Sequence, residues 1–276
     1  MNLRLWNRIK RVLSALALLV VAVIAVFPFI YMAIVSLKPR VLTYDPSIWI
    51  FRPTFENYTA IFQQRNLLHF ARNSFVVVIG TTLVSLALGS LAAYGFARFP
   101  FKKRESLAFW ILSLRMLPPM ATVIPFFIVA RLLGILDTHL VLILAYMTFN
   151  IPFSIWMMRG FFEEIPREIE EAALVDGCSH WQVMVRVLLP LSAPGLTATA
   201  IFCVIQSWNE FAFALFLTGV NARTLPTTVT FFLSVTGVIW GEMAAVGVVT
   251  ALPVLVFAML VQKHMIRGLT FGAVKQ

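Results

Sequence analysis

Long apolar runs separated by short polar clusters organise this chain, and the spacing of its charges sets the frame. Between Arg11 and Lys38 lie 26 residues with no Asp, Glu, Lys or Arg. Arg72 and Arg98 enclose 25 such residues, Arg186 and Glu210 enclose 23, and Glu242 and Lys263 enclose 20. A helix rises about 1.5 Å per residue and needs about 20 apolar residues to cross a hydrocarbon core about 30 Å thick. The runs therefore predict membrane-spanning helices near 12–37, 73–97, 106–132, 140–158, 192–218 and 243–262. Arg115 and Pro118-Pro119 interrupt the third. Residues 224–241 also lack charge, but they carry Thr224, Thr227, Thr228, Thr230, Ser234 and Thr236. A seventh crossing there would put the two basic termini on opposite sides, so a loop or re-entrant segment is expected. The predicted fold class is all-α: a polytopic membrane protein with six transmembrane helices, one transmembrane domain over 1–276 and a core over 70–265.

Composition agrees with that pattern. Hydrophobic residues make up 60 % of the chain and charged residues 12 %, against about 25 % charged in ordinary soluble domains; the mean hydropathy is +0.89. The first apolar run follows Arg4, Arg8, Lys10 and Arg11, as in a secretory signal. It is longer than the apolar core of about 7–15 residues such signals use, and it ends in "SLKPR" with no small-residue cleavage site; it is expected to be a retained span. The net charge of +10 suggests nucleic acid only until the basic residues are located, because they sit at the ends of apolar runs, where they set topology. With the N-terminus inside, the six-span arrangement puts fourteen Lys and Arg on inner segments and seven on outer ones. The cluster Arg98, Lys102, Lys103 and Arg104 weighs most. Both termini are thus expected in the cytoplasm, with membrane lipid around the spans and no nucleic-acid partner. Cys178 and Cys203 are isolated thiols that form neither a disulfide framework nor a metal site.

Two local patterns add detail. Thr81, Ser85, Gly89, Ala93 and Ala97 recur every fourth residue in the second span, a ridge of small side chains that lets membrane helices approach closely. Within residues 163–176, Glu163, Glu164, Glu168, Glu170, Glu171 and Asp176 gather six of the twelve acids of the whole chain. By the topology above, 160–190 is a cytoplasmic loop. Pro166 suits the first turn of a helix, Glu168 the positive end of its dipole, and Gly177 a left-handed stop. Ile165, Ile169, Ala172 and Ala173 fall on one face at helical spacing. Ser179 with Gln182 fits a capping box, opening a second helix that Pro190 ends. A small acidic amphipathic helix held under the membrane suits a groove on another protein.

These residues carry a family. "EEAALVDGCSHWQVMVRVLLPL" resembles the EAA loop of permease subunits from bacterial binding-protein-dependent ABC importers, with Glu171, Ala172, Ala173, Gly177, Leu189 and Pro190 at the motif positions and Asp176 before the glycine. "RMLPPMATVIPFF", "GILDTHLVLILAYMTFNIPFSIW", "SWNEFAFAL" and "RGLTFGAVKQ" are similar to the carbohydrate branch that includes the smaller maltose-transporter permease. The resemblance covers about residues 70–276 well and the first 70 loosely. It implies the type I importer permease fold in the inner membrane, with the EAA helix docking on a cytosolic ATPase dimer that binds ATP and Mg, so this chain holds no cofactor itself. It also implies a second, usually non-identical permease subunit and an external solute-binding protein that delivers a sugar. Glu171 would then make polar contacts to the ATPase, Ala172 and Ala173 would allow close approach, and Gly177 would set the turn. In the tail 263–276, Gly272 to Gln276, with Lys275, would reach the ATPase interface. Residues 219–241 would face the binding protein.

Charged groups inside a bilayer are costly, so each is a site hypothesis. Arg115, near Pro118 and Pro119, is a candidate for lining the pathway, with hydrogen bonding to a neighbouring helix as the alternative. Trp208, Asn209 and Glu210 pair aromatic and amide groups, which suit the C–H faces and hydroxyls of sugars; gate or interface packing is the competing role. An ion-coupled secondary sugar transporter would need ionisable groups near the midplane of several spans, and only Arg115 and Glu210 approach that. A membrane enzyme has less support. His69, His139, His180 and His264 lie far apart, and H-E-x-x-H, G-x-S-x-G and Walker A patterns are missing, so no catalytic residue or metal ligand is expected and any ATP hydrolysis belongs to a partner chain.

Overall fold

The computed structural model describes residues 3–234 and 237–270, with side chains over 10–233 and 237–262. The chain is mostly helical. α1 (Leu3–Ser36) leads through a tight turn at Arg40–Tyr44 to the short α2 (Glu56–Thr59). α3 (Leu67–Arg98), α4 (Arg104–Ser113), α5 (Pro119–Leu132) and α6 (His139–Glu164) follow. Then come α7 (Arg167–Val175), α8 (His180–Val183), α9 (Leu189–Leu191), α10 (Ala193–Asn209) and α11 (Ala212–Leu217). Tight helical turns over Leu225–Phe232 precede β1 (Leu233–Ser234) and β2 (Gly237–Val238), and α12 (Trp240–Thr270) ends the described chain.

Among the described residues, Lys10–Ser36, Leu67–Arg98, His139–Glu164 and Trp240–Gln262 are each long and apolar enough to cross a membrane. The count reaches six if each of two bent pairs is one span: Arg104–Met116 with Pro119–Leu132, bent by 93°, and His180–Leu191 with Ala193–Asn209, bent by 80°. The first bend lies where the sequence is interrupted by Pro118-Pro119. A proline disfavours helical geometry in the residue before it and lacks an N–H of its own, and Leu117 and Pro118 are accordingly extended. The expected span over 192–218 is likewise broken: α10 stops at Asn209, Glu210 is extended and α11 restarts at Ala212. The described residues between 224 and 239 form no long helix. They make the tight turns and a ladder pairing Leu233 with Val238 and Ser234 with Gly237.

The chain divides into two compact units, one taking the residues up to Leu67 together with Val229–Leu252, the other Leu68–Thr228 together with the chain from Pro253 on. In the first, the Glu242 carboxylate, itself buried, meets Arg40 Nη2 at 2.9 Å and Arg65 Nε at 3.8 Å. Asn57 Nδ2 donates to Ser36 O and Lys38 O at 2.9 and 2.8 Å. Lys38 is buried and its Nζ donates to Asp45 O.

Among the described residues of the second unit, two apolar clusters position the helices. One joins Val77 of α3 to Val141, Leu142, Ala145 and Tyr146 of α6, Val123 and Ala130 of α5, and Phe213 and Leu217 of α11. The other joins Ala93, Tyr94 and Ala97 of α3 to Met158 and Phe162 of α6 and to Val183, Met184 and Leu188. The small-residue ridge lies where close packing needs it. Thr81, Ser85, Ala93 and Ala97 are buried, and a Cβ on Gly89 would run into Ser154 of α6. Helices α6 and α10 are joined by small polar groups, with Asn150 Nδ2 donating to Ser207 Oγ at 2.8 Å, a device suited to lipid, where no hydrophobic drive separates helix from solvent.

Candidate functional site

The acidic segment folds as two short helices separated by a glycine turn. Gly177 has φ +89°, a conformation costly for any residue with a Cβ. Its N–H reaches Leu174 O and the Cys178 N–H reaches Ala173 O, both at 3.0 Å, the paired bonds of a Schellman stop. Ser179 then caps α8 reciprocally: Gln182 N donates to Ser179 Oγ at 3.3 Å and Ser179 N donates to Gln182 Oε1 at 2.8 Å. Pro166 precedes α7 rather than sitting in its first turn. Nor does Pro190 end the second helix where expected. The helix widens to a π-helical stretch at Met184–Leu188, with Leu189 N–H reaching Met184 O, and α9 carries Pro190 in its first turn before the chain bends at Ser192.

The buried face of α7 differs from the one expected. Ile169 and Ala172 are exposed, whereas Glu170 is buried and Ala173 and Leu174 pack on the cluster beneath α3 and α6. A carboxylate replaces the expected apolar residue because a cation waits for it. Arg98 Nε lies 2.7 Å from Glu170 Oε2, with side-chain exposures of 6 % and 8 %, and Tyr94 Oη donates to Glu170 Oε1 at 2.7 Å. Arg98 Nη2 also donates to Ile165 O at 2.9 Å. The outward face presents Glu168, Glu171, Ala172, Asp176 and Val175, the last 87 % exposed. Gly272 and Lys275 lie outside the described residues.

A cleft of about 670 Å³ opens beside the break between α4 and α5. Arg115, Asn209 and Glu210 all line it, with Thr122, Thr148 and Gln206 among the polar neighbours and Phe126, Phe149 and Phe213 among the apolar ones. The Arg115 guanidinium lies 4.5 Å from the centre of the Phe153 ring. Glu210 is buried and structurally committed: Oε1 accepts from Phe213 N at 3.0 Å and Oε2 from Ala214 N at 3.2 Å, capping the start of α11. Asn209 is exposed, its amide nitrogen donating to Ile205 O at 2.9 Å. Trp208 stands apart from these three. It is buried, meets Phe75 edge-on at 5.2 Å between ring centres, and lines a separate apolar pocket with Phe75, Val204 and Phe257.

Sequence reasoning missed a polar clamp at the opposite end of α3 from Arg98. Asp137, at φ +56° in the turn between α5 and α6, accepts from the backbone N–H groups of Gly219, Val220, Asn221 and Ala222 at 2.9–3.2 Å, and from Asn221 Nδ2 at 2.9 Å. Burial alone would raise its pKa, but the Ala222, Asn221, Gly219 and Val220 N–H groups together outweigh it and hold the carboxyl below its ordinary range. Asn73 Nδ2 donates to Asn221 O and Arg223 O at 2.8 and 3.0 Å, and Leu225 N donates to Ser74 Oγ at 2.7 Å. The available signal was an acid just past Gly134-Ile135-Leu136, a short polar break between two apolar runs.

A multi-pass helical chain with a punctuated acidic loop and a cleft of mixed polar and apolar lining at a broken helix has the build of a membrane transport component. Residues 85–271 match the family described as the binding-protein-dependent transport system inner membrane component. The chain is 35 % identical over 272 residues to the trehalose/maltose transport system permease protein MalG of Thermococcus litoralis, covering 97 % of this chain and 98 % of that one. Among solved structures it is similar to a bacterial ABC transporter involved in the import of the acidic polysaccharide alginate, with TM-score 0.80, 24 % identity, and 93 % and 96 % of the two chains covered. It is also similar to a chain of a bacterial alginate ABC transporter in complex with an alginate pentasaccharide-bound periplasmic protein, with TM-score 0.68, 18 % identity, and coverage of 93 % and 95 %. The chain belongs to the family of binding-protein-dependent transport system inner membrane components.

Proposed function

We propose that this chain forms half of the translocation pathway of an ATP-driven importer for a sugar or sugar-like solute, and that α7 couples it to a cytosolic ATPase dimer. An extracytoplasmic solute-binding protein delivers the solute, and a second, non-identical permease supplies the other half of the pathway. ATP and Mg belong to the ATPase. Six spans, counting each broken pair as one, leave both termini in the cytoplasm, with the tail carrying Gly272 and Lys275 toward the ATPase interface. Relatives named for trehalose and maltose, and fold neighbours that import alginate, support a carbohydrate solute.

The observation that carries the coupling role is the partition of α7. Glu170, Ala173 and Leu174 hold it to the helix ends, leaving Glu168, Glu171, Ala172, Val175 and Asp176 outward. An exposed valine among acids is a poor surface for water and a good one for a groove on a partner. For the pathway, the cleft lined by Arg115, Asn209 and Glu210 supports solute contact by Arg115 and Asn209, with Glu210 holding the break between α10 and α11 in shape. Trp208 serves packing against Phe75. An ion-coupled carrier has less support, since Glu210, the acid in this cleft, is occupied by two backbone N–H groups.

Purification from the native membrane in mild detergent, followed by mass spectrometry, tests the assembly. Recovery of a Walker-motif ATPase and a second permease is expected, together with loss of the ATPase in Glu171→Lys. A chain that came out without an ATPase in several detergents would overturn the reading.

A further inference from the structure

We propose that Glu170, through Arg98 and Tyr94, is the tie by which α7 pulls on α3, so that motion of the docked helix enters the membrane through α3; this rests on the ATPase-docking role of α7. Three observations converge. Side-chain polar contacts on the α6–α7 turn and on the buried face of α7 lead to α3: an ion pair of Arg98 Nε with Glu170 Oε2 at 2.7 Å, and hydrogen bonds from Tyr94 Oη to Glu170 Oε1 at 2.7 Å and from Arg98 Nη2 to Ile165 O at 2.9 Å. Tyr94 and Arg98 are one helical turn apart on the same face, so two rungs of α3 grip one carboxylate. The remaining attachment is apolar, with Ala173, Leu174 and Cys178 on the cluster containing Ala93, Tyr94 and Ala97. Apolar contacts resist separation but set little direction, whereas the Tyr94 hydrogen bond to a carboxylate fixes distance and angle and the buried Arg98 charge keeps that carboxylate in place.

The third observation concerns what α3 can do with a pull. Above Arg98 it presents the ridge of Ala97, Ala93, Gly89, Ser85 and Thr81, smooth enough at Gly89 for its backbone to approach Ser154 and Ile155 of α6 closely. Small side chains on the packed face bring the two backbones close together, so a displacement of α3 bears directly on α6. Glu170 is therefore a positioning residue distinct from Glu171, its exposed neighbour: one acid is spent inside the subunit, the other is offered outside it.

The test compares Glu170→Gln with Glu171→Lys in the assembled importer reconstituted with its binding protein in liposomes, reading ATPase retention, ATP hydrolysis and solute uptake separately. Glu170→Gln is expected to retain the ATPase and continue hydrolysis, while solute moved per ATP falls about fivefold or more, the range typical of a lost coupling free energy. Glu171→Lys is expected to lose the ATPase itself. The exchanged pair Arg98→Glu with Glu170→Arg should recover part of the solute moved per ATP that either single change removes, measured at equal amounts of assembled complex so that a recovery of stability alone does not count. Unchanged uptake per ATP in Glu170→Gln overturns the proposal and leaves the docking role standing. Loss of the ATPase in Glu170→Gln also overturns it, making Glu170 a docking contact. Should Glu170→Gln not reach the membrane, the exchanged pair decides, and an inserted but inactive exchange overturns the tie.

Discussion

The two ends of α3 hold acids in opposite ways. At its C-terminal end, Glu170 is buried and meets one cation and one hydroxyl, each on a side chain of α3. At its N-terminal end, Asp137 collects four backbone N–H groups and one amide, with no ion pair among the described residues, and Asn73 of α3 holds the same loop through Asn221 and Arg223. A side-chain ion pair transmits position from one helix to another and depends on both partners. A ring of backbone N–H groups shapes a loop and depends on the acid alone. The first arrangement suits a moving part, the second a fixed surface.

Removing the cation at the first end should have the largest effect. Arg98→Ala leaves the Glu170 carboxylate buried without a counter-charge, at about 3–5 kcal/mol, read as a lower melting temperature in detergent and faster proteolysis within 160–190. Next comes the ridge between the two ends. Gly89→Leu forces atoms into Ser154 of α6 and should cost about 1–3 kcal/mol by overpacking; unchanged thermal stability would mean the two helices are not closely packed in the membrane.

At the other end, Asp137→Asn should loosen residues 218–225 by about 1–2 kcal/mol, seen as faster amide exchange at Gly219–Ala222. The pH dependence follows from the lowered pKa of Asp137. A carboxyl more acidic in the folded state than in the unfolded one contributes stability in full above the ordinary carboxylate range, and loses it as pH falls through the depressed value. Protection of those amides should therefore be complete above the usual carboxylate range, begin to fall as pH enters it, and be lost once pH has passed the depressed value; loss of protection near neutral pH, or none at any acid pH, would contradict the clamp. The smallest effect on uptake belongs to Trp208. Because it packs on Phe75 rather than facing the cleft, Trp208→Phe should cost about 1–2 kcal/mol of stability for the space the lost ring leaves and leave solute uptake unchanged, whereas Arg115→Ala should lower uptake.

Much of the frame was legible in the sequence because bilayer thickness and charge placement are strong constraints, so the positions of α1, α3, α6 and α12 follow from charge-free runs alone. The punctuation of the acidic loop was legible too, since Gly177 and the Ser179–Gln182 pair each have a single local geometry they serve well. What escaped depended on tertiary partners. Glu170 reads as another solvated acid until Arg98, 72 residues earlier in the sequence, is brought beneath it, and Arg98 itself reads as a topology marker. Trp208 and Asn209 are neighbours in sequence, yet a helix turns adjacent side chains about 100° apart, so one lines the cleft and the other does not. Pro118-Pro119 foretold an interruption but not its angle, which packing decides.

The most direct measurement is photo-crosslinking from single positions on α7 in intact membranes, with a photoreactive residue placed in turn at 170, 171 and 175. Positions 171 and 175 should capture a Walker-motif ATPase, and position 170 should capture only its own chain. Capture of lipid or of a second copy of this chain from 171 and 175, with no ATPase, would contradict the coupling role of α7.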